Sequence, residues 1–181
     1  MSTDLWKVLR RERLLSVPGR LDVYTETVEL PDGRIVEDYL QFVAATFAQV
    51  FAETAAGEVI LLRQYKHGPR RIHLALPGGH IDEGEAPLAA ARRELLEETG
   101  YGGGEWSELG HFCTAGNHGG SISYSFLCRG AERMAEPLSG DLEDMVIELV
   151  DRPSLLKALA EGEFAVGSDL ATIALALAAN Q

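Results

Sequence analysis

Residues Gly79 to Tyr101 read GHIDEGEAPLAAARRELLEETGY, a glycine-bearing loop running into a helix. Ala, Leu, Glu and Arg dominate Ala86 to Thr99, and all four are strong helix formers. Pro87 falls where a first-turn proline is tolerated, and Gly100 stands where a C-terminal glycine cap is expected. Leu88, Ala91 and Leu95 recur at helical spacing and predict the buried stripe. At roughly 100° per residue, Glu94 and Glu98 lie one turn apart with Glu97 beside them. Three carboxylates thus crowd one arc bordering the apolar stripe. Like charges one turn apart repel unless something neutralises them. Arg92 and Arg93 can do so on an ordinary solvated face; a hard divalent cation, which takes oxygen ligands, can do so in a site.

The spacing decides between the two. Gly79 is followed after five residues by Glu85 and after seven more by Arg93-Glu94-Leu95; one residue on come Glu97-Glu98, and one further on Gly100 and a hydrophobic residue. This pattern resembles the signature of the Nudix hydrolases, with Tyr101 standing where the family more often carries an aliphatic residue. The resemblance implies a loop–helix–loop that holds Mg2+ or Mn2+. Glu94 and Glu98 would be metal ligands, Glu97 a ligand or a partner of coordinated water, and the main-chain carbonyl of Gly78 a further ligand. Arg93 would orient the acids through charge-assisted hydrogen bonds, and Glu85 would brace the loop. The chemistry agrees. Hydrolysis of a diphosphate linkage builds charge on phosphoryl oxygens and leaving group, which divalent ions offset while activating water.

A length of 181 residues suits one domain of ordinary size, and 46% hydrophobic residues can build a proper core. The net charge of −12 argues against nucleic-acid and anionic-membrane partners, which need a basic footprint. Cys113 and Cys128 sit in separate apolar segments and are expected to be reduced core thiols. The opening MSTDLWKVLRRERLL has arginines but no continuous apolar stretch, and no run approaches a membrane span. A soluble cytoplasmic protein is expected.

Residues 1–20 alternate basic and apolar positions and end at Pro18-Gly19, which predicts a short irregular or helical lead-in with Arg10, Arg11 and Arg13 solvated. Leu21 to Leu30 alternates and is rich in β-branched residues, Pro31-Asp32-Gly33 signals a turn, and IVEDYLQF returns, so a hairpin is predicted. Val43 to Phe51 and Glu58 to Tyr65 predict a second pair; at its end Arg63, Gln64, Tyr65 and Lys66 are candidates to reach a ligand, or plain edge residues. Ile72 to Leu76 is a short strand leading to Pro77-Gly78-Gly79. Gly102 to Gly104 reads as a flexible break. Trp106 to Thr114 and Ser121 to Cys128 read as strands around AGNHGGS, where His118 can touch substrate or simply be solvated. Glu143 to Val150 is a further strand, and Ser154 to Gly162 and Ser168 to Ala179 are helices, the second capped by Ser168. The order gives an α+β chain or a three-layer sandwich, and the resemblance implies a Nudix-type α/β/α sandwich with a mixed β-sheet plus an N-terminal antiparallel hairpin. Residues 1–42 form the lead-in and hairpin, and 43–181 the hydrolase domain.

The resemblance runs over roughly residues 20 to 178. LLRQYK, LPGGHIDEGE, AARRELLEETGY and GDLEDM look like the ADP-ribose pyrophosphatase branch, which cleaves nucleoside diphosphate sugars. It implies a nucleoside monophosphate and a sugar phosphate as products, and a homodimer whose N-terminal hairpin crosses to the partner. The branch usually has an arginine at Lys66, often a glutamate at Ala75, and a proline in the loop that here reads AGNHGG; these departures touch substrate recognition, not the metal site. An acidic residue before the last strand is implied as general base, and Asp141, Glu143 and Asp144 offer themselves, Glu143 favoured over Asp141 for its reach. The competing substrates are GDP-mannose, a dinucleoside polyphosphate, NADH or an oxidised nucleoside triphosphate. The competing class is a module that senses a nucleotide sugar without cleaving it.

Overall fold

The computed structural model describes residues 5–138 and 145–179, which divide into two units. The first takes the described residues up to Thr46 together with Cys113–Ile122. Its strands β1 (Lys7–Val17), β2 (Leu21–Glu29) and β3 (Ile35–Ala44) pair antiparallel in sequence order. β2 and β3 are the predicted hairpin. The lead-in, read as irregular or helical, is instead the strand β1. Its basic and apolar residues do alternate with period two, but the partner that makes the alternation a strand is β2: Lys7 pairs with Glu29 at 3.4 Å, Arg11 with Glu26 at 3.4 Å, and the Arg11 guanidinium lies 3.7 Å from the Tyr24 ring centre. Arg11 is therefore engaged, not merely solvated.

The second unit, Phe47–Phe112 with Ser123–Gln181 (described to 179), is built around β4 (Phe47–Thr54). β4 runs parallel to β9 (Gly119–Arg133) on one side. On the other it is antiparallel to β7 (Gly78–His80) at its start and to β5 (Val59–Lys66) at Glu53. β5 in turn pairs antiparallel with β6 (Arg71–Ala75) and β10 (Met145–Val150), and β8 (Tyr101–Ala115) pairs with β9. The glycines 102–104, expected to break the chain, lie inside β8, where Gly103 O accepts the Trp106 indole N–H at 2.7 Å.

Alternation along the strands separates two cores. Ala48, Val50, Ala52 and Ile60 face α1 (Pro87–Thr99), against Ala90, Ala91 and Leu95. Phe51, Val59 and Leu61 face α2 (Arg152–Ala160) and α3 (Gly167–Ala179), against Leu155, Ile173 and Ala176. This unit is the expected mixed-sheet sandwich. Burying a side chain such as Leu95 contributes about 1.5–3 kcal/mol. Pro87 opens α1, and Gly100 closes it in the left-handed region at φ 72°, its N–H donating to Leu96 O at 2.8 Å. A Cβ at Gly100 would stand 2.2 Å from Ala135 O, so glycine is required there twice over.

Ser168 does not cap α3, which begins one residue earlier; its hydroxyl is buried and has no hydrogen-bond partner among the described residues. Both cysteines are free, but only Cys128 is a core thiol, pushed up to about 11 by burial against the opposing charge of Arg92; Cys113 is exposed. Among the described residues no helix is long and apolar enough to cross a membrane.

α3 also carries Asp169, its one charged residue, 1% exposed. Burial pushes its carboxyl up to about 7, opposed by hydrogen bonds from the Leu76 N–H and the Gln49 amide and by the charge of Lys66. The folded state therefore keeps a proton that an unfolded chain, titrating near 3.8, has already lost. Stability from this group is lost as pH rises from about 4 to about 7. Urea midpoints at pH 5 and pH 8 are expected to differ less in Asp169→Asn than in the wild type, by on the order of 2 kcal/mol in unfolding free energy.

Candidate active site

The backbone of β7 crosses the start of β4 in the register Gln49↔Gly78, Ala48↔Gly79, Phe47↔His80. α1 packs on the same two strands, so the loop glycines face the acidic side of the helix. A cleft of about 420 Å3 opens between them, lined among others by Lys66, Gly78, Gly79, Asp82, Arg93, Glu94 and Glu98. Glu98 is 4% exposed, and its Oε2 accepts the Gly78 N–H at 2.8 Å. At Gly79 a Cβ would stand 2.4 Å from Glu94 Oε1, so the loop reaches the carboxylate only because that side chain is absent.

Arg93 gathers the acids. Its Nε and Nη2 donate to the two oxygens of Glu85 at 3.0 and 2.9 Å, its Nη1 to Glu94 Oε1 at 2.7 Å and Glu97 Oε2 at 3.2 Å, and its Nη2 also to His80 O at 2.9 Å. Glu85 in turn accepts the Asp82 N–H at 3.0 Å. These bonds hold the Glu85 carboxyl below its ordinary range, the Arg93 guanidinium being the largest cause, and hold Arg93 firmly protonated. One guanidinium thus ties loop to helix.

Glu97 has its carboxylate on Arg93 and is the most exposed of the three helix acids. Among the described residues no group of three or more His, Cys, Asp or Glu side chains is placed to hold a metal ion unaided. The donor set nevertheless fits a hard divalent cation. Glu94, Glu98 and Asp82 line one cleft together with Gly78 and Gly79, and magnesium characteristically completes its six ligands with water.

The four candidates on β5 part company. Lys66 lines the cleft. Arg63 does not: it lies on the opposite face of β5, bonded through Nε and, at 3.3 Å, Nη2 to Glu148, and at 3.0 Å to Glu163. Strand parity is the reason, since odd positions of β5 face α2 and α3. Tyr65 shares that parity and is exposed, with its hydroxyl 3.0 Å from His67 Nδ1. Gln64 is buried opposite His73 and Met145 and does not line the cleft. His118 belongs to the first unit, where its Nδ1 donates to Leu40 O at 2.9 Å and its ring lies 6.1 Å from that of Tyr39. Glu143, with Asp141 and Asp144, lies outside the described residues. Sequence reading passed over Asp82, although a second carboxylate three residues before Glu85 in the same loop was its signal.

A mixed sheet between helices carries a glycine loop and a guanidinium-gathered set of glutamates at one cleft, an arrangement suited to divalent cations and phosphoryl oxygens. The chain belongs to the Nudix family: the NUDIX domain model matches residues 42–166. It is 30% identical over 146 residues, 80% of this chain and 77% of the other, to an ADP-ribose pyrophosphatase of Bacillus subtilis (strain 168). It is 27% identical, with the same coverage, to a methanol dehydrogenase activator of Bacillus methanolicus. The crystal structure of an ADP compounds hydrolase shares the fold with a TM-score of 0.80 at 18% identity, covering 97% of this chain and 94% of that one. Nudix hydrolases act with divalent metal ions.

Gly79→Ala probes the close approach directly. The variant is expected to keep its fold, because the Glu94 carboxylate can swing aside, and to lose about 10–100-fold in Mn2+ affinity as that carboxylate leaves the cleft. Calorimetric titration with Mn2+ beside a melting curve checks it.

Proposed function

We propose that the chain hydrolyses the diphosphate linkage of a nucleoside diphosphate sugar, ADP-ribose first, with Mg2+ or Mn2+, releasing a nucleoside monophosphate and a sugar phosphate. The observation that carries this is the convergence of Glu94, Glu98 and the Gly78 backbone on one cleft that also holds Lys66. Similarity to a protein named ADP-ribose pyrophosphatase supports the substrate class.

Glu94, Glu98 and the Gly78 carbonyl would hold the cation, with Glu97 at its exposed side and Asp82 near by. When bound, the cation offsets phosphoryl charge and lowers the pKa of water. Arg93 directs carboxylate oxygens into the cleft, and Glu85 fixes Arg93. Lys66 sets a compact positive charge beside the carboxylates, where it suits one phosphoryl oxygen and not a bidentate fork. Glu143 is assigned as general base, and it must come within about 2.6–3.2 Å of the attacking water, directly or through another.

Residues 1–42 are read as a dimerisation element of the domain at 43–181, supported by the exposed Val8, Leu14, Leu15 and Val17 on β1. Two free thiols suit the cytoplasm. Phosphatase-coupled phosphate release across nucleoside diphosphate sugars, dinucleotides and triphosphates, with magnesium and then manganese, tests the reading. ADP-ribose is expected to lead; a preference for GDP-mannose or NADH would change the substrate, and binding without turnover would indicate a sensor.

A further inference from the structure

Gly78 is held on two sides, by the helix α1 and by its neighbouring strand β4. On the α1 face its N–H is held by Glu98 at 2.8 Å. On its other side the backbone lies against Gln49, close enough that a Cβ at Gly78 would stand 3.1 Å from Gln49 Cγ and 2.9 Å from Gln49 Cα. Gln49 is 7% exposed and points toward α3, where its Nε2 donates to Asp169 Oδ1 at 2.5 Å. The same Oδ1 accepts the Leu76 N–H in a longer contact of 3.4 Å, and the Val50 N–H donates to Pro77 O at 2.9 Å. The stretch Leu76–Gly78 is thus tied at each residue: Leu76 runs directly to Asp169 of α3, and Gln49, the ladder partner of Gly78, is bonded to the same oxygen.

We propose that Asp169, acting through Gln49, is a positioning residue for the metal-binding loop, fixing the Leu76–Gly78 backbone, and with it the Gly78 carbonyl, from the face of the sheet opposite the cleft. The inference rests on the metal role given to Gly78 above. Apolar residues of similar volume would fill this part of the core without the desolvation cost of an acid–amide pair. What the polar pair adds is direction. Ligand oxygens stand about 2.0–2.1 Å from magnesium in near-octahedral geometry, so a backbone carbonyl displaced by a few tenths of an ångström ceases to be a good ligand.

The test titrates metal-free full-length protein with Mn2+, reading free Mn2+ by electron paramagnetic resonance, and adds kcat, KM and melting curves. Asp169→Ala and Gln49→Met are expected to weaken Mn2+ binding about tenfold and lower kcat about as much, with KM within about twofold. Asp169→Asn, whose amide oxygen accepts both bonds, is expected to bind Mn2+ within about threefold of wild type. If Asp169→Ala does not fold, Gln49→Met carries the same comparison. Wild-type Mn2+ affinity in Gln49→Met, whatever the loss in melting temperature, overturns the inference and leaves the metal site standing. Failure of the wild-type chain to bind Mn2+ overturns both.

Discussion

Glu98→Gln is expected to lower hydrolysis about a thousandfold while leaving the fold nearly unchanged. The two halves of this expectation have separate causes. Glu98 is buried, and one interaction that fixes its carboxylate in the fold is acceptance of the Gly78 N–H at 2.8 Å, which a glutamine Oε1 can also accept. Exchange of one charged for one neutral acceptor costs about 1 kcal/mol of stability. The chemistry is less forgiving, because an amide supplies neither the charge nor the second oxygen that a hard cation requires. Divalent metal catalysis is worth several kcal/mol of transition-state stabilisation, and about 4 kcal/mol corresponds to a factor near a thousand. Initial rates on ADP-ribose beside a thermal melt decide it. Activity within a few-fold of wild type would remove Glu98 from the metal site.

Arg93→Ala is expected to damage fold and function together. Removing the guanidinium leaves Glu85, Glu94 and Glu97 facing one another with their shared donor gone, and releases His80 O. The group is partly exposed, so the loss is set at about 2 kcal/mol, below that of a fully buried pair. For a chain of this size that lowers the melting temperature by about 4–8 °C. Turnover should fall about 10–100-fold, since Glu94 loses its orienting partner. Arg93→Lys should recover little of either, because an ammonium cannot span both oxygens of Glu85 while reaching Glu94. Full recovery by lysine would mean that Arg93 supplies only charge.

α1 and its loop were legible because their information is local. Pro87, Gly100 and the apolar stripe define the helix, and the spacing of Glu85, Arg93, Glu94 and Glu98 defines what the cleft gathers. β1 was not, since its strand character depends on the antiparallel ladder with β2, a partner that no local window contains. Arg63 and Lys66 show a finer limit: alternation says that they face opposite ways, but only the packing of α1 on one face says which of them meets the acids. Asp169 announced itself as the lone charge in GSDLATIALALAA, yet its partners Gln49 and Leu76 lie far back in the chain, and topology alone joins them.

The most direct measurement is chromatographic analysis of ADP-ribose incubated with the full-length protein and Mg2+, with and without excess chelator. The expected result is AMP and ribose 5-phosphate in equal amounts, and none when the metal is withdrawn. Intact ADP-ribose under both conditions and with Mn2+, or equal cleavage in the presence of chelator, would contradict the account.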